Sequence, residues 1–338
     1  MSVTTSSREE LGLLLRLRMV KKLSFLVLAV VAGGVLYVVF GLPNVGAAPD
    51  LTIERTPERL RRGEYLVRNV AACLACHSDR DYDKLYAPPR EGLEGAGGET
   101  WTEARDGVPG TFVAANLTPA SLGTWTDGEI LRALTTGVSR DGHALFPLMP
   151  YASYGHLDRE DMLSIIAYVR TLPPIPHPVE VSRAIFPVNL ILHTVPEPAH
   201  FGARPATSDP IAYGEYLVNM ASCAHCHTER DAHGNLLEGR AFAGGNTFHL
   251  PTHLRVVSAN LTPDKETGIG NWSRDAFIQR FRDTRSAALA HPEAAGFNSP
   301  MPWLTYGGMT DADLGAIYDY LRTRPAVSHA IPRGAQAE

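Results

Sequence analysis

The sequence predicts a mostly α-helical protein in which two tandem domains follow a single N-terminal transmembrane helix. Three observations lead to this fold class. An uncharged apolar run lies near the N-terminus, a set of short motifs occurs twice, and helix-capping residues flank the periodic segments of both copies. The chain has 338 residues, of which 44% are hydrophobic and 20% are charged, a composition that excludes disordered, collagen-like and multi-span membrane proteins.

The first predicted element is a membrane anchor at residues 23–42, preceded by a basic segment at residues 1–22. Residues 23–40 carry no charge, and as a helix they would extend about 27 Å, close to the thickness of a bilayer core. The basic segment has five basic and two acidic groups, so the positive-inside rule places the N-terminus in the cytoplasm. The remainder would lie in the periplasm, outside a bacterial inner membrane. A cleaved signal peptide, with a small-residue site at Val45–Ala47, is the alternative.

The charge of the exported part argues against a nucleic-acid partner. The chain has a formal net charge of −5, and the basic segment contributes +3, so the other 316 residues carry −8. Nucleic-acid binding requires a basic face, which such an acidic body lacks.

The next elements are predicted from an internal repeat. Matching motifs lie 144 to 152 residues apart, a period that indicates a duplicated domain and not a solenoid. The matched pairs are Gly63–Val67 with Gly214–Val218, Asn116–Pro119 with Asn260–Pro263, Trp125 with Trp272, and Tyr154 with Tyr306. The repeat defines domains at residues 57–173 and 209–326. The proline-rich linker, residues 174–208, contains a short apolar stretch, Ala184–Val195, that we expect to pack between the domains.

Each domain is expected to consist largely of helices. Thr56-Pro57 and Asp209-Pro210 are helix starts, and the two helices run into the cysteine motifs. Thr126 with Glu129 forms a capping box, whereas Ser273, Asp158 and Thr310 are predicted N-caps of later helices. Gly63 and Gly214 are expected where the first helix crosses the last. Residues 78–115 contain six glycines and are expected to form a loop, and no stretch alternates long enough to predict a substantial sheet.

The chemistry is predicted from a C-x-x-C-H motif that occurs in both domains. Cys73, Cys76 and His77 form the first copy, and Cys223, Cys226 and His227 form the second. In this motif two thiols bond the vinyl groups of one porphyrin, and the adjacent histidine ligates the iron. The sequence therefore predicts two covalently bound haem c groups. A shared four-cysteine zinc site, a thioredoxin-like redox motif and a structural disulfide are the competing interpretations.

Met149 and Met301 are the predicted second axial ligands. They align with each other, and each lies in a proline-bracketed loop before the last helix of its domain. Met162, Met220 and Met309 have no methionine counterpart and are expected in the core. His143, His156 and His291 are alternative ligands, while Trp125, Trp272, Asn116 and Asn260 are interpreted as structural.

These motifs resemble those of the membrane-associated multihaem cytochrome c subunits of periplasmic alcohol and gluconate dehydrogenases. The resemblance runs from about Pro57 to Pro325 and includes Gly-Glu-Tyr-Leu-Val before C-x-x-C-H, the Asn-Leu-Thr-Pro turn, Met-Pro-aromatic and the stretch Phe186–Asn189. It implies an electron-transfer subunit with two cytochrome c-like domains and His/Met ligation. The best-known relatives carry three haem motifs, and this chain carries two.

The expected function is transfer of electrons from a periplasmic dehydrogenase or similar donor to an oxidase, a soluble cytochrome or a quinone-linked acceptor. The chain would then be a non-catalytic subunit of an oxidoreductase complex. The alternative is a haem enzyme with one open iron, such as a dihaem peroxidase or a sulfur-compound oxidoreductase, in which His143 or His156 would act as the acid–base group.

Overall fold

The computed structural model describes residues 4–231, 235–293, 299–332 and 334–337, and this part of the chain is mostly helical. Helix α1 (Thr4–Gly41) is long and apolar enough over residues 14–41 to cross a membrane, and none of that stretch is buried in the protein. The helix begins within the predicted basic segment, of which residues 1–3 lie outside the described residues. It confirms a single long apolar helix at the N-terminus.

The first repeat, residues 57–173, consists of short helices joined by loops. They are α2 (Pro57–Tyr65), α3 (Cys73–Cys76), α4 (Glu103–Asp106), α5 (Pro119–Leu122), α6 (Asp127–Thr136), α7 (Tyr151–Tyr154) and α8 (Arg159–Val169), with a π-helical turn at Leu66–Val70. The predicted N-caps are confirmed, since the side chains of Thr56, Thr126 and Asp158 each accept a hydrogen bond from the backbone three residues later.

The second repeat, residues 209–326, has the same order of principal helices. They are α10 (Pro210–Met220), α11 (Cys223–His227), α12 (Arg274–Ala290), α13 (Trp303–Tyr306) and α14 (Asp311–Arg322). Asp209, Ser273 and Thr310 cap α10, α12 and α14, as predicted. Between the repeats, helix α9 (Val188–Ile191) continues into a 3₁₀ turn at Leu192–Thr194.

In each repeat the first and last helices cross at a glycine, as predicted. A Cβ on Gly63 of α2 would lie 1.9 Å from the carbonyl oxygen of Ser164 in α8. A Cβ on Gly214 of α10 would lie 2.0 Å from the carbonyl oxygen of Ala316 in α14. Only glycine allows the two backbones to approach this closely. The crossing therefore fixes the position at which the first helix ends and the cysteine motif begins.

The chain forms two small antiparallel sheets, and the first corrects the prediction that residues 78–115 form only loop. Strands β1 (Thr100–Thr102), β2 (Gly110–Val113) and β3 (Arg183–Ala184) form one sheet, in the order β1-β2-β3. Strands β4 (Thr247–His249), β5 (Leu254–Val257) and β6 (Gln336–Ala337) form the other. These strands have two to four residues each, too few for alternation of polar and apolar side chains to reveal them.

The two repeats contact each other closely, and their buried side chains form one continuous hydrophobic cluster. The contact is reciprocal. Helix α13 packs on the π-helical turn of the first repeat, and α10 packs on α7. Each repeat therefore packs against the short helix, α7 or α13, that precedes the last helix of the other repeat.

The expectation that the apolar linker stretch packs between the repeats is wrong. The side chains of Ile185, Phe186 and Ile191 are strongly exposed, and only Leu192 of the four is buried. Strand β3 attaches this stretch to the first repeat, where it pairs with β2 on the surface.

Candidate functional site

Both C-x-x-C-H motifs form a single helical turn directly after the first helix of their repeat. Helix α3 carries Cys73 and Cys76, and α11 carries Cys223 and Cys226, so in each pair the cysteines are three positions apart and share one face. The residue before each first cysteine is left-handed, with φ of 51° at Ala72 and 54° at Ser222. Non-glycine residues rarely adopt this conformation, and its recurrence marks a reversal of the chain that both copies require.

The four cysteines differ in exposure, since Cys73 and Cys223 are half-buried and Cys76 and Cys226 are exposed. All four are free, and desolvation raises the pKa of Cys73 and Cys223 to about 12 and that of Cys226 to about 11. In the described residues no group of three or more histidine, cysteine or acidic side chains is arranged to hold a metal ion. The geometry therefore favours one site in each repeat over a four-cysteine zinc site shared between them.

The histidine of each motif is oriented by a backbone carbonyl. Nδ1 of His77 lies 2.8 Å from the oxygen of Ala115, and Nδ1 of His227 lies 2.7 Å from the oxygen of Ala259. A carbonyl oxygen can only accept, so Nδ1 carries the proton and Nε2 keeps its lone pair for a metal. Burial lowers the pKa of both imidazoles, against the opposing effect of the carbonyl, which favours the neutral form that ligates iron.

An asparagine turn holds each of these carbonyls in place. Oδ1 of Asn116 accepts from the backbone N–H of Thr118, and its amide donates to the carbonyl of Ile175, after the last helix. Asn260 repeats both contacts with Thr262 and Val327. The turn thus links the alanine whose carbonyl orients the histidine, Ala115 or Ala259, to the segment that follows the last helix of the repeat.

The structure separates the methionines into two groups. Met162, Met220 and Met309 are almost completely buried in the core, as predicted. Met149 and Met301 are half-buried at the edge of the same cluster, and each precedes a helical turn, α7 or α13. Because each of these side chains is only half-buried, its thioether sulfur can contact a group bound at the edge of the core.

The three alternative histidines have other surroundings. Nδ1 of His143 lies 2.6 Å from a carboxylate oxygen of Asp141, and its side chain is 62% exposed. Nδ1 of His156 donates to the carbonyl of Ala152, and both His156 and His291 are exposed. None of these contacts recurs among the described residues of the other copy, so the described part of the chain does not single out an acid–base group beside either motif.

Two buried tyrosines connect the methionine loops to the cysteine motifs. Tyr154 of α7 donates to the carbonyl of Ala71, and Tyr306 of α13 donates to the carbonyl of Ala221, 2.8 Å away. Burial raises the pKa of both hydroxyls well above the ordinary value, and charge at the cysteines raises it further. Helix α13, which carries Tyr306, packs on the π-helical turn of the first repeat, and that turn also contacts α3.

Sequence reasoning missed two components of the site. The carbonyls of Ala115 and Ala259 carry no side-chain signal, although each directly precedes a recurring asparagine. The hydroxyls of Tyr154 and Tyr306 could have been found, because both tyrosines recur at the same place after the Met-Pro motif.

The residues present fit a haem c in each repeat. Each motif combines two neighbouring thiols with an imidazole whose Nδ1 faces a carbonyl, and each repeat also carries a half-buried methionine at the core edge. This donor set matches covalent attachment through two cysteines with histidine and methionine as axial ligands. Trp125 and Trp272 recur as well, but Trp272 is 39% exposed and neither is needed for the fit.

Comparison with known proteins finds relatives that are named as cytochrome subunits. The chain is 30% identical over 302 residues to the cytochrome c subunit of a quinone alcohol dehydrogenase from Gluconacetobacter polyoxogenes, matching 83% of this chain and 59% of the relative. It is 29% identical to the fructose dehydrogenase cytochrome subunit of Gluconobacter japonicus, over 84% and 56% of the two chains. It is 28% identical to a dihaem cytochrome c-type protein of Cereibacter sphaeroides, over 84% and 91%.

No protein-family model matches the chain. The chain spans about three fifths of the length of the dehydrogenase subunits that it matches, and nearly all of the dihaem cytochrome. Over most of its length it is therefore homologous to cytochrome c subunits of dehydrogenases and to a dihaem cytochrome c, and the predicted resemblance is confirmed.

Proposed function

We propose that this protein is a membrane-anchored dihaem cytochrome that carries electrons from a periplasmic dehydrogenase to a respiratory acceptor. Two cytochrome c-like domains, residues 57–173 and 209–326, would each hold one haem c. Helix α1 would anchor them to the bacterial inner membrane with the N-terminus in the cytoplasm. The acceptor would be an oxidase, a soluble cytochrome or a quinone-linked complex. The relatives named as dehydrogenase subunits support a dehydrogenase as donor.

One observation carries the proposal: two cysteines, the adjacent histidine and a methionine before the last helix recur at equivalent positions of both repeats. Cys73, Cys76 and His77 would hold the first haem with Met149 as the sixth ligand. Cys223, Cys226, His227 and Met301 would hold the second. Haem c would supply a one-electron couple in each repeat, and a methionine ligand would raise its reduction potential.

The surrounding residues would serve electron transfer by keeping the site rigid and dry. The Ala115 and Ala259 carbonyls hold the imidazoles in one tautomer and orientation. Tyr154 and Tyr306 fill the space between the methionine loops and the cysteine helices. The two repeats share one hydrophobic cluster, and α13 packs on the π-helical turn of the first repeat, so the two haems would lie near each other and electrons would pass between the domains. A dehydrogenase that removes two electrons from its substrate would deliver them one at a time.

Carbon monoxide binding to the chemically reduced full chain tests the proposal. If both irons carry two strong protein ligands, the optical spectrum does not change when the gas is added. Met149→Ala is expected to open the first iron and Met301→Ala the second, so each variant gains carbon monoxide binding at one haem. Met162→Leu, at a core position, is the matched control and should behave as the wild type.

Rapid binding at one haem of the wild type would contradict the proposal and favour the haem-enzyme alternative. A second contradiction would be an unchanged spectrum and an unchanged axial-ligand signature in near-infrared magnetic circular dichroism for both methionine variants. Copurification with a dehydrogenase or with an oxidase then identifies the partner.

A further inference from the structure

The linker between the repeats exposes a cluster of apolar side chains. Nine large apolar side chains outside α1 are strongly exposed among the described residues, and five of them lie within residues 181–195. These five are Val181, Ile185, Phe186, Ile191 and Val195. Phe186 is 76% exposed, and a contiguous exposed apolar patch of this kind marks a protein or membrane contact surface. We call residues 181–195 the linker segment.

The linker segment lies at the end of the candidate membrane helix. Nδ1 of His193 donates a hydrogen bond to the carbonyl of Leu42, directly after α1, at 3.0 Å. The 3₁₀ turn Leu192–Thr194 contacts α1 itself. Phe40, in the last turn of α1, is 81% exposed. The apolar surface of α1 and that of the linker segment therefore meet at one place.

The charge of the linker segment matches the boundary between lipid and water. Among its 15 residues there is no aspartate or glutamate, and Arg183 is the only arginine or lysine. The Arg183 side chain is exposed in strand β3, next to the apolar cluster. Segments that lie in the plane of a membrane combine apolar side chains with basic groups that reach the phosphates in this way.

We propose that the linker segment is a second membrane contact, which lies in the interface of the leaflet from which α1 emerges. Ile185, Phe186 and Ile191 enter the acyl-chain boundary, and Arg183 lies at the level of the lipid phosphates. The inference rests on the proposed function only in taking α1 as a bilayer anchor.

This contact would change how the protein sits on the membrane. A single helix followed by a flexible segment lets the attached domains tilt and rotate. Strand β3 joins the linker segment to β2 of the first repeat, so insertion of the segment holds that repeat at a fixed height and orientation. A fixed orientation presents the same face of the two sites to a membrane-bound partner.

Spin labels on the full-length holoprotein test the proposal. The variants Phe186→Cys and Ile191→Cys are spin-labelled in nanodiscs of phosphatidylcholine and phosphatidylglycerol. The four native cysteines do not take up the label, because they are bonded to haem in the holoprotein. Label accessibility is measured by power saturation with oxygen, which partitions into lipid, and with a water-soluble nickel chelate. Val30→Cys in α1 is the lipid control, and Leu289→Cys, 64% exposed on α12, is the water control.

The oxygen-to-nickel accessibility ratio at positions 186 and 191 should exceed that at 289 several-fold and approach that at 30. Ratios equal to that at 289 would overturn the inference. If position 30 gives a lipid value at the same time, α1 remains an anchor and only the linker contact is wrong. If position 30 also gives a water value, the anchor and the contact both fail.

A release assay gives a second readout that does not depend on labels. A protease site placed between Gly46 and Ala47 separates α1 from the repeats after the protein has assembled in vesicles. The wild-type repeats should stay on the vesicles, and the Phe186→Ser/Ile191→Ser variant should be released. Ile211→Ser/Leu289→Ser, which removes equally exposed apolar groups elsewhere, should remain bound. Unchanged haem spectra show that each variant has folded, and release of the wild type would contradict the inference.

Discussion

Tyr216 of the second repeat donates a hydrogen bond from its hydroxyl to the carboxylate of Asp161 in the first, at 2.6 Å. The equivalent residues make the reverse contact, because Tyr65 of the first repeat donates to Asp313 of the second. Each tyrosine lies on a first helix and each aspartate in the first turn of a last helix. The two repeats are thus joined by a reciprocal pair of tyrosine–aspartate hydrogen bonds.

Removing either hydroxyl should weaken the contact between the repeats. Tyr216→Phe leaves a buried Asp161 oxygen without one donor, and Tyr65→Phe does the same at Asp313, so each should lower the free energy of unfolding by about 1–2 kcal/mol. Denaturant unfolding followed by circular dichroism measures the loss. Tyr86→Phe is the control, because the described residues offer its hydroxyl no hydrogen-bond partner. Equal stability of all three variants would show that the reciprocal hydrogen bonds do not stabilise the protein.

Asp161 should make the stability of the protein depend on pH. Burial opposes its ionisation, but the bidentate Arg62, at 2.7 and 2.8 Å, with Tyr216 and Arg204, outweighs it and holds the pKa below the ordinary value. The ionised carboxylate therefore contributes its full stabilisation above the unfolded pKa of about 4 and loses it as the pH falls through the lower folded pKa.

The variant Asp161→Asn removes that contribution at every pH. At pH 7 it should be less stable than the wild type by about 2–4 kcal/mol, since Arg62 loses a buried partner. Between pH 5 and pH 2, roughly the range of this transition, its unfolding free energy should fall less than that of the wild type. Thermal unfolding at a series of pH values measures both, with the exposed Asp83→Asn as control. Parallel curves for wild type and Asp161→Asn would refute the assignment.

The crossing glycines should tolerate no side chain. In Gly63→Ala the new methyl group would lie 1.9 Å from the Ser164 carbonyl oxygen, and a backbone atom cannot swing away. The helices α2 and α8 would have to separate, at a cost of about 3 kcal/mol or more. Thermal unfolding of the membrane-bound variant, compared with the wild type, measures the loss of stability. Gly34→Ala in α1, where nothing lies within 4 Å of the new Cβ, is the control and should leave the unfolding temperature unchanged. An unchanged unfolding temperature for Gly63→Ala would show that the helices do not cross at this glycine.

Local rules predicted much of this fold. The caps at Thr56, Thr126 and Thr310 depend on neighbours three residues away, and the glycine crossings were found because the repeat presents them twice. The bond between Tyr65 and Asp313 joins residues 248 positions apart, and single-sequence periodicity carries no information at that distance.

The linker segment misled sequence reasoning for a different reason. An apolar run predicts burial, but it does not distinguish a protein core from a lipid surface. The side chains proposed to hold the haems, from Cys73 to Met301, could be selected from the sequence alone. The backbone carbonyls that orient the histidines were not, because any residue type supplies a carbonyl.

The asparagine turns should tune each site separately. Asn116→Ala removes the bonds to Thr118 and Ile175 that hold the Ala115 carbonyl, so the bond to Nδ1 of His77 weakens. His77 then donates less electron density, the oxidised iron loses stabilisation, and the reduction potential of the first haem should rise while that of the second stays constant. Spectroelectrochemistry resolves the two couples. Asn260→Ala should shift only the other couple, which makes each variant the control for its counterpart. A loss of stability of about 1–3 kcal/mol with both potentials unchanged would mean that the turns support the fold and do not act on the iron.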